Sequence, residues 1–197
     1  VEPYYPAQIG TDPEDQLYLA VAQVTQRSNL DAGTERLRTL IEQYQPEQAD
    51  FYFQLAEAYW NQQKLEEALP WYQQAIQRDP QHLIALRNYA AVLAEAGRHS
   101  QSEQIVRQAL EIAPDDPKAL NNLGDVLVTL GRAAAAVPVL TKSLEGDPDS
   151  PEALQNLARA YAETGDTAKA VEAARQAIRV RPGFGAAHNT LANVLVE

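Results

Sequence analysis

Apolar positions along this chain return with a helical rather than a strand rhythm, and the rhythm itself repeats every 34 residues. Val21, Leu55, Tyr89, Leu123, Leu157 and Leu191 form one large apolar column at that step, and Tyr59, Leu93, Leu127, Tyr161 and Leu195 form another one helical turn further on. Beside the first column run Ala22, Ala56, Ala90, Gly124, Ala158 and Ala192, all small, as two helices crossing closely would need. A second set of small positions, Ala75, Ala109, Ser143 and Ala177, preceded by Ala68, Ser102, Ala136 and Ala170, marks a second helix in each unit. These columns are the expected core.

Local punctuation agrees with two helices per unit. Pro46, Pro80, Pro114, Pro148 and Pro182 stand 34 residues apart, each two residues before the end of its unit. Gly97, Gly131 and Gly165 follow first helices, where a left-handed residue closes the last turn at little steric cost. Asp116-Pro117 and Ser150-Pro151 read as a cap followed by proline in the first helical position. Ser100 with Glu103 reads as a capping box opening a second helix. Pro70 and Pro138 fall near the starts of second helices, where a lost N–H bond costs little.

With Tyr52, Leu55, Ala56, Tyr59, Ala68, Tyr72, Ala75 and Pro80 in one unit, the chain resembles the tetratricopeptide repeat family. The resemblance implies an all-α fold, a right-handed α-α superhelix of about five helix-turn-helix units and a final unpaired helix. Units at 49–82, 83–116, 117–150 and 151–184 follow a divergent one at 15–48, which has Thr34 and Arg38 in its second helix, and precede a partial one at 185–197. Residues 1–14, with Pro3, Pro6, Pro13, Tyr4 and Tyr5, suit an extended strap or a linker. Leu191, Leu195 and Val196 have no following helix to cover them, whereas repeat arrays normally end in a polar cap. The native chain is therefore expected to continue past Glu197, and the lack of any Met implies that something upstream of Val1 has been removed.

On each first helix a stripe such as Arg87, Ala91 and Ala94 is offset by one residue, about 100° of rotation, from the core stripe Leu86, Ala90 and Leu93. The resemblance implies that this second stripe lines a concave ligand groove. Asn88, Asn122 and Asn156 recur there, with Gln54 before them and Thr190 after. A side-chain amide offers an acceptor and two donors, so it can grip peptide backbone whatever the side chains. The column resembles the asparagine ladder of the repeat domain in protein O-linked N-acetylglucosamine transferases. The same amides could instead bond neighbouring helices and set the repeat packing.

Asn121, Asn189 and Asn193 add amides to this surface, while Arg87, Lys118 and Arg159 stand among Asp125, Glu95 and Glu163. Such mixed charge suits a polar ligand or simply a solvated face. Leu19, Phe53 and Trp60 are expected to point inward as apolar anchors, or to pack against the N-terminal segment. The carboxylate clamp of chaperone-binding relatives is only partly matched. Arg87 and Asn122 fit it, but Ala91, Glu152 and Asn156 replace an Asn and two basic residues, and Glu152 would repel a carboxylate.

Composition narrows the chemistry. Apolar residues make up 45% and charged ones 22%, which suits a folded chain without a bilayer-spanning run. A net charge of −11 disfavours broad contact with nucleic-acid phosphates. There is no Cys, hence no thiolate metal site or thiol nucleophile. His82, His99 and His188 lack the spacing of a helical metal site, and His188 shares the packing column of Tyr18, Tyr52, Leu86, Leu120 and Leu154. No phosphate loop or nucleophile elbow occurs, and no cofactor is expected. The sequence thus points to a non-enzymatic module that binds an extended peptide or partner protein in its groove. Alternatives are a substrate-recruiting region of a larger enzyme or redox protein, and self-assembly through the uncovered face of the last helix as a homo-oligomer.

Overall fold

In a computed structural model of the protein, which describes residues 12–26 and 30–196, the chain is all-α. Eleven helices are found among the described residues: α1 (Pro13–Thr25), α2 (Leu30–Tyr44), α3 (Ala49–Asn61), α4 (Leu65–Arg78), α5 (Leu83–Glu95), α6 (His99–Ile112), α7 (Pro117–Thr129), α8 (Ala133–Gly146), α9 (Pro151–Glu163), α10 (Thr167–Val180) and α11 (Gly185–Val196). Two compact units arise, Val1–Ala85 and Leu86–Glu197. The strap or linker expected at 1–14 lies outside the described residues as far as residue 11, while Asp12 and Pro13 already cap and open α1.

The proline column works through the residue before it. Asp79, Ala113, Asp147 and Arg181 end the second helices with φ between −142° and −130° and ψ between 81° and 92°. The following proline ring excludes the helical conformation at that position, so each second helix stops there. First helices end differently. Gly97, Gly131 and Gly165 have φ of 75°, 71° and 82°. Arg98, Arg132 and Asp166 then donate backbone N–H back to Leu93, Leu127 and Tyr161 carbonyls at 2.8–2.9 Å. This six-residue closure satisfies carbonyls that a helix end would leave open.

Gln63 holds the same place in its unit with φ 61°, and Lys64 closes the turn onto Tyr59 at 3.0 Å. A side chain in the left-handed region costs energy that glycine avoids. Gln63→Gly is therefore expected to stabilise the first unit by about 0.5–1 kcal/mol, read as a higher urea midpoint.

In the first unit, α1 packs on α2 and α3, and α3 on α2 and α4. Its core holds Leu37 and Ile41 of α2, Phe51, Tyr52 and Leu55 of α3, and Tyr72 of α4, all essentially inaccessible. The column expectation needs correction in α1. Val21 and Ala22 are only half-buried, and the residues α1 buries are Leu17, Ala20 and Val24. Thr34 stands in the small column by bonding to Leu30 O at 2.6 Å and accepting from Gln62 Nε2 at 2.7 Å.

In the second unit α7 packs on α6, α8 and α9, α9 also on α8, α10 and α11, and α10 on α11. The polar members of its small columns are satisfied: Ser102 Oγ donates to Ala90 O and Ser143 Oγ to Pro117 O, both at 2.7 Å. At the last rung, Ala192 is exposed and Leu195 is 61% accessible, because no second helix follows α11 among the described residues. His188 is exposed rather than packed, and its Nε2 meets Pro182 O at 2.7 Å.

Two further expectations are overturned. Arg98, not Ser100, occupies the N-cap of α6, and Glu103 bridges Arg107 and Arg132 instead of closing a capping box. The Arg132 guanidinium in particular holds the Glu103 carboxyl below the usual carboxylate range. Pro70 and Pro138 lie inside α4 and α8, beyond the first turn, so each removes one helical hydrogen bond. Both are on the exposed face, where water can serve the abandoned carbonyl.

Candidate functional site

First helices α5, α7, α9 and α11 succeed one another through the second unit, and polar side chains join them at intervals of 34 or 35 residues. Asn122 Nδ2 of α7 donates to the Arg87 carbonyl of α5 at 3.2 Å. Asn156 Nδ2 of α9 donates to Asn121 Oδ1 of α7 at 3.0 Å, and Arg159 of α9 to Asp125 Oδ1 of α7 at 2.7 Å. Gln155 Nε2 reaches Thr190 Oγ1 of α11 at 3.4 Å. The result is a polar seam along the first-helix layer.

The register explains why the amides go there. Their column lies between Ala119, Ala153 and Ala187 on one side and Val126, Ala160 and Val194 on the other, all buried. A residue between two buried columns faces the adjacent first helix. Asn156 and Thr190 are accordingly only 6% and 8% exposed, and Asn122 is half-buried. Of the two readings open for this column, packing therefore has direct hydrogen bonds at Asn122 and Asn156. Asn88 is also half-buried and engaged.

The other residues of the expected groove divide. Arg87 directs its guanidinium to Asp116, the N-cap of α7, at 3.6 Å. Glu152 pairs with Arg181 at 2.7 Å. Lys118, Asn189 and Asn193 are exposed, and Asn121 and Arg159 are half-buried parts of the seam. Phe53, expected as an exposed anchor, is 9% accessible, its ring 5.0 Å from His82 and 6.2 Å from Tyr72. One edge still reaches a cavity of about 220 Å³ with Gln54, Glu57 and Asn61. Trp60 and Leu19 are both half-buried.

What sequence reading passed over is a cleft of about 260 Å³ between α5 and α7. Ala90, Ala91 and Ala94 line it beside Ser102, with Asn122, Glu95 and Asp125. It exists because α5 carries alanine at two successive stripe positions, where α7 has Asp125 and Val128. The stripe of Arg87, Ala91 and Ala94 was expected to line the groove, but the room left over its alanines shows only once the neighbouring helices are in place. Among the described residues no group of three His, Cys, Asp or Glu could hold a metal ion, and no helix is long and apolar enough to cross a membrane.

Comparison with known proteins places these helices. Tetratricopeptide repeat models match residues 47–115, 81–149 and 127–194. A search of the curated proteins found no match. Among solved structures, a tetratricopeptide repeat protein from Parabacteroides merdae ATCC 43184 is similar, with a TM-score of 0.80, 19% identity and coverage of 93% of this chain and 73% of that one. YrrB, a TPR protein with an unusual peptide-binding site, has a TM-score of 0.74 at 19% identity over 90% of this chain and 91% of its own. TTC0263, a thermophilic TPR protein in Thermus thermophilus, has a TM-score of 0.67 at 19% identity over 94% of this chain and 100% of its own. With the 34-residue step, the paired helices and the matched models in agreement, the chain belongs to the tetratricopeptide repeat family.

Proposed function

We propose that this protein is an interaction scaffold that holds an extended segment of a partner protein along the first-helix stripe of its second unit, centred on the cleft between α5 and α7. The observation that carries this reading is the cleft itself: about 260 Å³ over an alanine floor, beside an amide and two carboxylates that can bond a passing backbone or side chain. Asn122 uses one amide hydrogen on Arg87, so its second hydrogen and its oxygen's remaining acceptor capacity can still serve a ligand. The seam makes the site rigid, and a rigid site loses less freedom on binding. Membership of a family of protein-interaction repeats supports the same reading.

Two variants separate binding from packing. Selection from a displayed library of random peptides is expected to enrich binders on the wild-type protein. Those binders should be lost on Ala91→Phe, which fills the cleft from a half-buried position beside Asn122 and Asp125, while its urea midpoint shows whether their seam bonds still hold. Asn156→Ala, by contrast, leaves Asn121 Oδ1 without its donor and should cost about 1–2 kcal/mol of stability in urea denaturation while leaving the cleft open. Binders that ignore Ala91→Phe would move the site elsewhere.

A further inference from the structure

Within the proposed peptide groove, on which this step rests, we infer that the α5–α7 cleft selects a basic side chain, lysine or arginine, of the bound segment. Its lining combines three alanines with two carboxylates, Glu95 and Asp125, and includes no cation. Arg87 turns away to Asp116, Arg159 bonds Asp125 Oδ1 at the edge of the cleft, and Glu95 is engaged as well. A carboxylate has acceptor sites for several donors, so Asp125 can hold Arg159 and a ligand cation together. The Asp125 side chain is 40% exposed and therefore within reach from the groove.

The competing occupants fit worse. A purely apolar side chain would match the alanine methyls but would take water from two carboxylates and return no hydrogen bond. An acidic side chain would meet like charge. Lysine and arginine alone pair a methylene stem, which lies on the alanine floor, with a cationic tip that reaches the rim. The net charge of −11 favours approach of a basic segment as well.

The experiment takes the peptides selected above and asks what they share. Expected is a lysine or arginine at one common position. Replacing it with norleucine or citrulline should weaken binding to the wild-type protein about tenfold or more. The same replacement should matter much less on a Glu95→Gln, Asp125→Asn double variant, in which the amide introduced by the second change keeps an oxygen for Arg159. Thermal melts of that variant guard against loss of fold, and Asp125→Asn alone gives the same comparison if the double variant melts early. Peptides that depend on Ala91 yet share no basic residue, or that tolerate norleucine, would overturn the selectivity and leave the groove intact. Failure to select any Ala91-dependent peptide would overturn the groove and the selectivity together.

Discussion

Tyr72→Ala is expected to destabilise the first unit by about 3–5 kcal/mol, the largest effect of any single substitution considered for this chain. Tyr72 is wholly buried on α4, its ring beside Phe53 and its hydroxyl bonded to Glu57 of α3. Truncation removes the apolar contacts, opens a cavity between α3 and α4 and takes a donor from a carboxylate. Tyr72→Phe should cost only about 1 kcal/mol, because the ring stays and the hydroxyl bond alone is lost. Urea denaturation followed by circular dichroism measures both. In a repeat array stability is roughly a sum of unit and interface terms, so the Ala variant should also show a shallower or biphasic transition as the first unit melts ahead. A single transition shifted by under about 1 kcal/mol would show that α3 and α4 can close over the missing ring.

Gly124→Ala is the second. An exposed helix would gain about 1 kcal/mol from this change, and Ala stands at the equivalent position in the units before and after. Here the expected result is the opposite. A Cβ on Gly124 would fall inside the van der Waals envelope of Leu140, striking both Cγ and a methyl of a side chain that is itself fully buried. Overpacking of this kind costs about 1–3 kcal/mol. The preceding unit holds Ala90 and Val106 at these two places, a larger residue with a smaller one. Gly124→Ala combined with Leu140→Val should therefore recover most of the loss, and the two changes should couple in a double-mutant cycle. A Gly124→Ala protein more stable than the parent would mean that Leu140 moves freely aside.

Legibility in the sequence followed the number of neighbours each position has. Ala56, Ala90, Gly124 and Ala158 were placed in the core by their column and are fully buried or, for Gly124, pressed against Leu140. Each lies in a helix with a partner helix over it, so its residue type is dictated. The same columns misled at the ends, at Val21, Ala22, Ala192, Leu195 and His188, where the flanking helix differs or is missing among the described residues. Helix ends were legible where backbone geometry demands a residue type, as at the prolines and Gly97, Gly131 and Gly165, but not at Gln63, which bears the same left-handed turn with an ordinary side chain. Ser100 and Glu103 matched a capping pattern that long-range pairing with Arg132 displaced.

The 34-residue step, the two-helix unit and the family were determined by the sequence alone, because packing of identical elements at identical spacing imposes identical constraints on small, apolar and helix-ending residues. The use of the groove residues was decided by tertiary structure. Asn122 and Asn156 have the same composition whether they face a ligand or a neighbouring helix, and only the rotation of α7 and α9 turned them into the seam. Ala91 and Ala94 likewise carry no chemistry of their own. They became the floor of a cleft because α7 brings Asn122 and Asp125 beside them and leaves the space over their methyls unfilled.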